Sequence, residues 1–327
     1  MAQQGLREVS AARRSPVMTA TALWVALRPK QWIKNLVVLA APLAAGDLFR
    51  FHVALHAATA VAAFCLASSA GYLVNDVADA EADRAHPVKC RRPIASGRLS
   101  PPIAISAAAV LAIASLLVAL TCGQPRFVLV IAIYLAVTVS YSLGAKRIQV
   151  IDLAIVAAGF VLRAVGGGVA TGIPLSSWFL LVASFGSLFM VAGKRYSELV
   201  QRTAAASEDR ASTGSVGQTG MLSPAAENSA TDAASYSLSY LRFVWSVSAG
   251  AAIFAYAVWA FETDTPHAHI AWAQISAAPF VLAILRYAVD IDHGRAAAPE
   301  DIALRDRVLL ALGIAWLITF SLAAGVF

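Results

Sequence analysis

Long apolar runs alternate with short polar joints along this chain. Runs of about 20 residues, the length an α-helix needs to cross a bilayer core, recur at roughly 33–50, 55–77, 103–122, 127–145, 150–171, 176–196, 240–261, 270–290 and 308–327. The joints carry breakers or charges: Gly123-Gln124-Pro125, Lys146-Arg147, Gly172-Ile173-Pro174, and the stretch from Glu262 to His269. The pattern predicts an all-α polytopic membrane protein of about nine transmembrane helices, one helical domain over residues 21–327. Residues 1–20 read as a disordered or interfacial lead. Residues 203–235, rich in Ala, Ser, Thr, Asp and Glu with scattered Gly, cannot bury enough apolar surface to offset their ordering. A flexible cytoplasmic loop is expected there.

Composition sharpens this. Hydrophobic residues make up 59% of the chain and charged ones 13%, with mean hydropathy +0.69, against ~25% charged in soluble domains. The net charge of +6 does not require nucleic acid, because excess Lys and Arg in a membrane protein encode orientation. With the N-terminus inside, the inner segments hold Arg84, Lys89, Arg91, Arg92 and Arg98, then Lys146 and Arg147, then Lys194, Arg195, Arg202 and Arg210. Arg286, Arg295, Arg305 and Arg307 follow, while the outer loops hold only Arg50 and Arg126. The asymmetry predicts a multi-pass protein of the inner (plasma) membrane with every strongly charged segment on the cytoplasmic side, and an odd number of spans leaves Phe327 outside. Cys65, Cys90 and Cys122 show no metal-ligand spacing, and no disulfide is expected. His86 and His293 are loop residues without a second ligand. No cleavable signal is apparent, since Arg13-Arg14 does not lead directly into an apolar core.

The most informative polar stretch is Asn75-Asp76-Val77-Ala78-Asp79-Ala80-Glu81-Ala82-Asp83, followed by the basic Arg84-Ala85-His86-Pro87-Val88-Lys89-Cys90-Arg91-Arg92-Pro93-Ile94. At ~100° per residue, Asp76, Asp79 and Asp83 share one helix face. Like charges so placed repel, and hard oxygen ligands at a water-accessible mouth suit Mg²⁺. The plainer alternative is a hydrated helix end whose acids pair with Arg84, Lys89 and Arg92. At the mouth of a membrane span, an ionisable cluster more often marks a site.

Two other mouths lie on the same side. One is Tyr141-Ser142-Leu143-Gly144-Ala145-Lys146-Arg147 with Asp152 beyond it, where Asp152 pairs with Lys146 or Arg147 on the plain reading. The other is Gly193-Lys194-Arg195-Tyr196-Ser197-Glu198, the candidate anion-binding half of a metal–phosphate site. At the entry, Trp24, Arg28, Trp32, Lys34 and Asn35 form a basic, aromatic segment. Trp is an ordinary headgroup anchor, but Lys34 and Asn35 lie deeper than an anchor requires. Arg163, well inside a span beside Gly166-Gly167-Gly168, must face a cavity or partner, whether to bind substrate or to hold helices together.

The motif Asn75-Asp-x-x-Asp79-x-x-x-Asp83 in a multi-span chain, followed by Arg92-Pro93-Ile94-Ala95-Ser96-Gly97, resembles the intramembrane prenyltransferase superfamily named after UbiA. Many members carry a second Asp-rich motif after the sixth span. This chain instead has Gly193-Lys194-Arg195-Tyr196-x-Glu198, which, with Gln31-Trp32-x-Lys34-Asn35 and Pro299-Glu300-Asp301-Ile302-Ala303-Leu304-Arg305-Asp306-Arg307, is similar to the branch that moves phosphoribose in actinobacterial cell-wall arabinan precursor synthesis. The resemblance implies transfer of 5-phosphoribose from phosphoribosyl pyrophosphate (PRPP) to decaprenyl phosphate, with Mg²⁺ held by Asp76, Asp79 and Asp83. Asp76, Asp83 and Glu198 then serve catalysis. Lys34, Asn35, Lys89, Arg91, Arg92 and Lys146 are candidate phosphate contacts beside Lys194 and Arg195, Asn75 is a further substrate-binding candidate, and Tyr141 and Tyr196 are candidates to orient ribose or phosphate. The partners are PRPP, a polyprenyl phosphate lipid and the membrane, without nucleic acid; a homo-oligomer is left open. The alternatives are a family member that moves a prenyl group from its diphosphate to an aromatic acceptor, and a transporter, which prefers charges near the midplane.

Overall fold

The computed structural model describes residues 16–213, 236–262, 270–298, 302 and 305–324. In chain order these form α1 (Pro16–Ala26), a 3₁₀ tract (Pro29–Leu39), α2 (Ala40–Ala44), α3 (Phe51–Ala78), α4 (Ala80–Ala85), α5 (Pro101–Leu120) and α6 (Pro125–Leu143). Then come α7 (Ile151–Thr171), α8 (Ser177–Thr213), α9 (Leu238–Glu262), α10 (Trp272–Asp292) and α11 (Arg307–Ala323), with no strand among the described residues. Boundaries fall where the sequence is punctuated. α5 opens on Pro101-Pro102 and α6 on Pro125, first-turn positions where the missing N–H costs nothing. α7 closes on Gly172 at φ +73°, a left-handed cap that glycine enters freely.

Among the described residues seven helices, α3 and α5 to α10, are long and apolar enough to cross a membrane. The chain is a multi-pass membrane protein. The expected count of nine is not established, because the first and last expected spans take other forms. The run at 33–50 is not one α-helix: the chain breaks at Arg28, which sits at φ 55°, and continues as the 3₁₀ tract and short α2. At about 2.0 Å per residue for the 3₁₀ part and 1.5 Å for the rest, Pro29–Ala44 still covers about 30 Å. The last run is the 17-residue α11. The start of the loop expected at 203–235 is corrected: residues 203–213 are helical. α8 continues through Thr213, since Ala204-Ala205-Ala206 are strong helix formers propagating from a membrane helix. Residues 1–15, 214–235 and most of 299–304 lie outside the described residues.

The helices pack as two half-bundles joined where α7 meets α8. In the first, Phe64 of α3 meets Tyr134 of α6 edge-on at 5.3 Å, with Phe127 and Ile131 completing a buried cluster. In the second, Phe189, Tyr196, Leu241, Tyr287 and Ile291 do the same. Lipid is as apolar as leucine, so such helices associate through close packing and buried polar bonds. Gly167 provides the first: a Cβ there would run into the Val38 carbonyl, so only glycine lets α7 lie against the 3₁₀ tract. Arg163 provides the second. Buried at 6% exposure, it donates from Nε to Asn35 Oδ1, from Nη2 to the Tyr134 hydroxyl and from Nη1 to the Gly159 carbonyl, each at 2.7 Å. The sequence left Arg163 open between substrate and scaffold; the geometry makes it a clamp on α6, α7 and the 3₁₀ tract.

Candidate active site

One end of the bundle collects the C-terminus of α3, the following turn, the α6–α7 joint and α8 near residue 195. Cross-helix ion pairs hold these mouths together, and two clusters result.

The first is built on the aspartates. Asp76 and Asp83 are buried, at 1% and 3% exposure. Asp76 Oδ1 accepts from Arg28 Nη2 at 2.5 Å and Arg92 Nη1 at 3.3 Å, and the same Arg92 nitrogen donates to Asp83 Oδ2 at 2.6 Å. Asp79 stands apart, half-buried, bound to Lys146 and accepting from Asn75 Nδ2 at 3.0 Å. The reason is local: α3 ends at Ala78 and α4 starts at Ala80, so the single face expected from one continuous helix is interrupted at Asp79 itself. Three acids thus meet three cations, Arg28, Arg92 and Lys146. Of the pairings in the plain alternative, Arg92 is present; Arg84 instead donates to the Ala95 carbonyl, and Lys89 is exposed. Among the described residues no group of three His, Cys, Asp or Glu side chains is placed to hold a metal by itself. Asp76 and Asp83, converging from successive helices, are nonetheless the hard oxygen donors that Mg²⁺ takes in ones and twos alongside substrate phosphates.

The second cluster adjoins the first through the α6–α7 joint. Asp152, buried at 2%, accepts from the Tyr141 hydroxyl at 2.9 Å and from Arg195 Nη2 at 3.0 Å. Its partner is therefore Arg195 on α8, not Lys146 or Arg147, because Lys146 turns away to Asp79. Glu198 lies 3.5 Å from Arg195 Nη1 and 3.8 Å from Lys194 Nζ. Lys89 and Arg91 project, exposed, from the turn after α4.

Two expected contacts face elsewhere. Tyr196 is buried in the second half-bundle, its hydroxyl accepting from Arg242 Nη2 at 2.6 Å. Asn35 is fully buried; besides Arg163 it engages Ser68 and Cys65 at 3.3 and 3.2 Å. Both belong to the scaffold, since one residue of helix rotation carries Tyr196 away from the face that shows Arg195. Lys34 is half-buried in the 3₁₀ tract. Sequence reasoning missed Arg28, read only as part of a basic entry. Its left-handed backbone turns the guanidinium onto Asp76 and over the Tyr72 ring at 5.0 Å.

Residues 17–214 match the UbiA prenyltransferase family. The chain belongs to that family. A Mycobacterium tuberculosis protein named decaprenyl-phosphate phosphoribosyltransferase is 47% identical over 304 residues, spanning 91% of this chain and 92% of the relative. One of the same name from Corynebacterium glutamicum is 43% identical over 315 residues, 95% of this chain and 89% of the relative. The fold matches a UbiA homolog from Archaeoglobus fulgidus bound to GPP and Mg²⁺, with TM-score 0.66 at 15% identity over 93% of this chain and 99% of that one. The aspartate cluster gathers where α3 ends and α4 begins and not at mid-span, which disfavours the transporter alternative.

Proposed function

We propose that this protein transfers 5-phosphoribose from PRPP to decaprenyl phosphate, at the cytoplasmic face of the plasma membrane, for cell-wall arabinan precursor synthesis. The observation that carries the reading is a buried two-carboxylate cluster adjoining a second one that presents Lys194 and Arg195, in a chain 47% identical to a phosphoribosyltransferase over 92% of that relative. An acidic half suits the metal that accompanies a pyrophosphate, and Lys194 and Arg195 suit the additional 5-phosphate. The excess of basic residues on this side supports a cytoplasmic orientation.

In the proposed reaction an oxygen of the lipid phosphate attacks C1 of PRPP. The C1–O bond to pyrophosphate breaks and the leaving group keeps the electron pair. The product is a C1 phosphodiester plus pyrophosphate. Asp76 and Asp83 would hold Mg²⁺, which when bound would neutralise charge on the leaving pyrophosphate. Arg28 and Arg92 then exchange part of their carboxylate contact for phosphate oxygens. Asp79 and Asn75 hold Lys146 toward the same end. Asp83 and Glu198 are the carboxylates available to oppose positive charge developing at C1. Exposed Lys89 and Arg91 draw the soluble anionic donor in. The acceptor needs no strong base, because a phosphate monoester with a second pKa of ~6 is largely ionised at neutral pH. Positioning and charge neutralisation supply the catalysis.

Donor exchange tests the reading. Membranes containing the protein, given decaprenyl phosphate, are expected to form labelled lipid from ribose-labelled PRPP and none from a labelled prenyl diphosphate with an aromatic acceptor. The opposite pattern assigns the chain to prenyl transfer.

A further inference from the structure

The joint between α6 and α7 serves both clusters of the site. Lys146 reaches from it to Asp79. Just past its end, in the first turn of α7, Asp152 accepts from Tyr141 and Arg195. The course of this short stretch therefore decides how both clusters assemble.

Its backbone turns sharply at each end. Gly144 enters it at φ +147°, a region open to glycine. Val150 leaves it at φ +69° and ψ −48°, which a β-branched residue rarely adopts. Across Val150 the Ile151 N–H donates to the Gln149 carbonyl at 2.8 Å, closing a three-residue γ-turn of the rare, strained hand. Such a turn leaves the N–H of its central residue unused. Here that N–H donates to the Tyr236 hydroxyl at 2.9 Å, 86 positions along the chain. The Tyr236 ring is itself fixed, lying parallel to Tyr240 in the first turn of α9 with centroids 5.7 Å apart and planes 4° from alignment. A strained residue persists only where its surroundings over-determine it. At Val150 the determining contact from outside the joint is Tyr236.

We infer that Tyr236 is a positioning residue for the reaction: by holding the Val150 N–H, its hydroxyl fixes the turn that delivers Asp152 to Arg195 and Lys146 to Asp79. The inference rests on the phosphoribosyl-transfer reading, in which Arg195 meets the donor's 5-phosphate. Tyr236 acts through the turn and not by contact with substrate. The Val150–Tyr236 bond is exposed, so its loss lets the joint relax without opening the packed half-bundles.

Removing one oxygen tests this. Tyr236→Phe keeps the ring and its stacking and deletes the acceptor. In purified full-length protein it is expected to raise KM for PRPP about three- to tenfold, the worth of one hydrogen bond. KM for decaprenyl phosphate should stay within about twofold, and the thermal midpoint within about 2 °C. Val150→Gly supplies the rescue, because glycine takes a positive φ without an outside hold. The double variant Val150→Gly/Tyr236→Phe should recover most of the lost PRPP affinity. An unchanged KM for PRPP, an equal rise in both constants, or a double variant no better than Tyr236→Phe overturns the inference while leaving phosphoribosyl transfer intact. A wild-type protein that makes no phosphoribosyl lipid from PRPP removes both.

Discussion

At Asp76 two guanidinium groups converge on one carboxylate oxygen, and one of them also holds Asp83. Such an arrangement sets guanidinium charge against two buried carboxylates and holds them close, through contacts that Mg²⁺ and phosphate would replace. Asp76→Asn or Asp83→Asn should therefore lower Mg²⁺-dependent turnover at least ~100-fold, while the protein still elutes as a single folded species. Near-wild-type turnover in both would remove the metal assignment. Lys194, only 3.8 Å from Glu198 and 42% exposed along its side chain, has its charge available for a ligand. Lys194→Ala should raise KM for PRPP more than KM for the lipid; the reverse would move it to the acceptor. Arg163 predicts a different outcome. Arg163→Met strands Asn35 and the Tyr134 hydroxyl, at about 1–3 kcal/mol for each unsatisfied buried group, so it should lower the thermal midpoint in detergent with less change in KM for either substrate. Arg163→Lys keeps the charge but loses the fork, and should fall between.

Among the elements, the turn after α4 responds to pH through His86. Its Nδ1 accepts the N–H groups of Val88 and Lys89 at 3.2 and 3.3 Å, a role only the neutral ring fills on that nitrogen. Partial burial, with Lys89 nearby, holds His86 below its ordinary 6.5. The unfolded chain then takes up the proton first, so this contribution is whole above pH 6.5 and is lost as pH falls through the lower folded value. Thermal midpoints should decline below about pH 6.5 in the wild type and less steeply in His86→Gln; identical slopes would deny the turn this role. Element boundaries were largely legible in the chain, because Pro101-Pro102, Pro125 and Gly172 act through their own backbone chemistry. The break at Arg28 was legible in part, because Pro29 disfavours the helical region for the residue before it, but nothing local announces that Arg28 turns left-handed and reaches Asp76, 48 positions away. Nor does a helix-end motif reveal which face is inward. Lys194-Arg195-Tyr196 reads as one basic–aromatic patch, yet the helix sends Arg195 to Asp152 and Tyr196 to Arg242.

Among the described residues, the two ion-pair clusters lie at one end of the bundle, with the Asp47–Arg50 pair and buried Arg163 elsewhere, and long apolar helices occupy the rest. That division matches a reaction between a fully water-soluble phosphosugar and a lipid, which can meet only at an interface. The membrane class and the aspartate motif could both be read from the one-dimensional pattern, the first because it depends on composition over tens of residues and the second because its spacing is local. The three-against-three balance of Asp76, Asp79 and Asp83 with Arg28, Arg92 and Lys146 could not, because it joins residues as far as 67 positions apart along the chain. The central claim is that the leaving group is pyrophosphate and the transferred group is the 5-phosphoribose. Its most direct test follows two phosphorus labels in PRPP, one on the 5-phosphate and one on the β-phosphate, through a single incubation with decaprenyl phosphate and Mg²⁺. The account predicts the 5-phosphate label in the lipid extract and the β-label in water as pyrophosphate. Both labels remaining in water, or the β-label entering lipid, would contradict it.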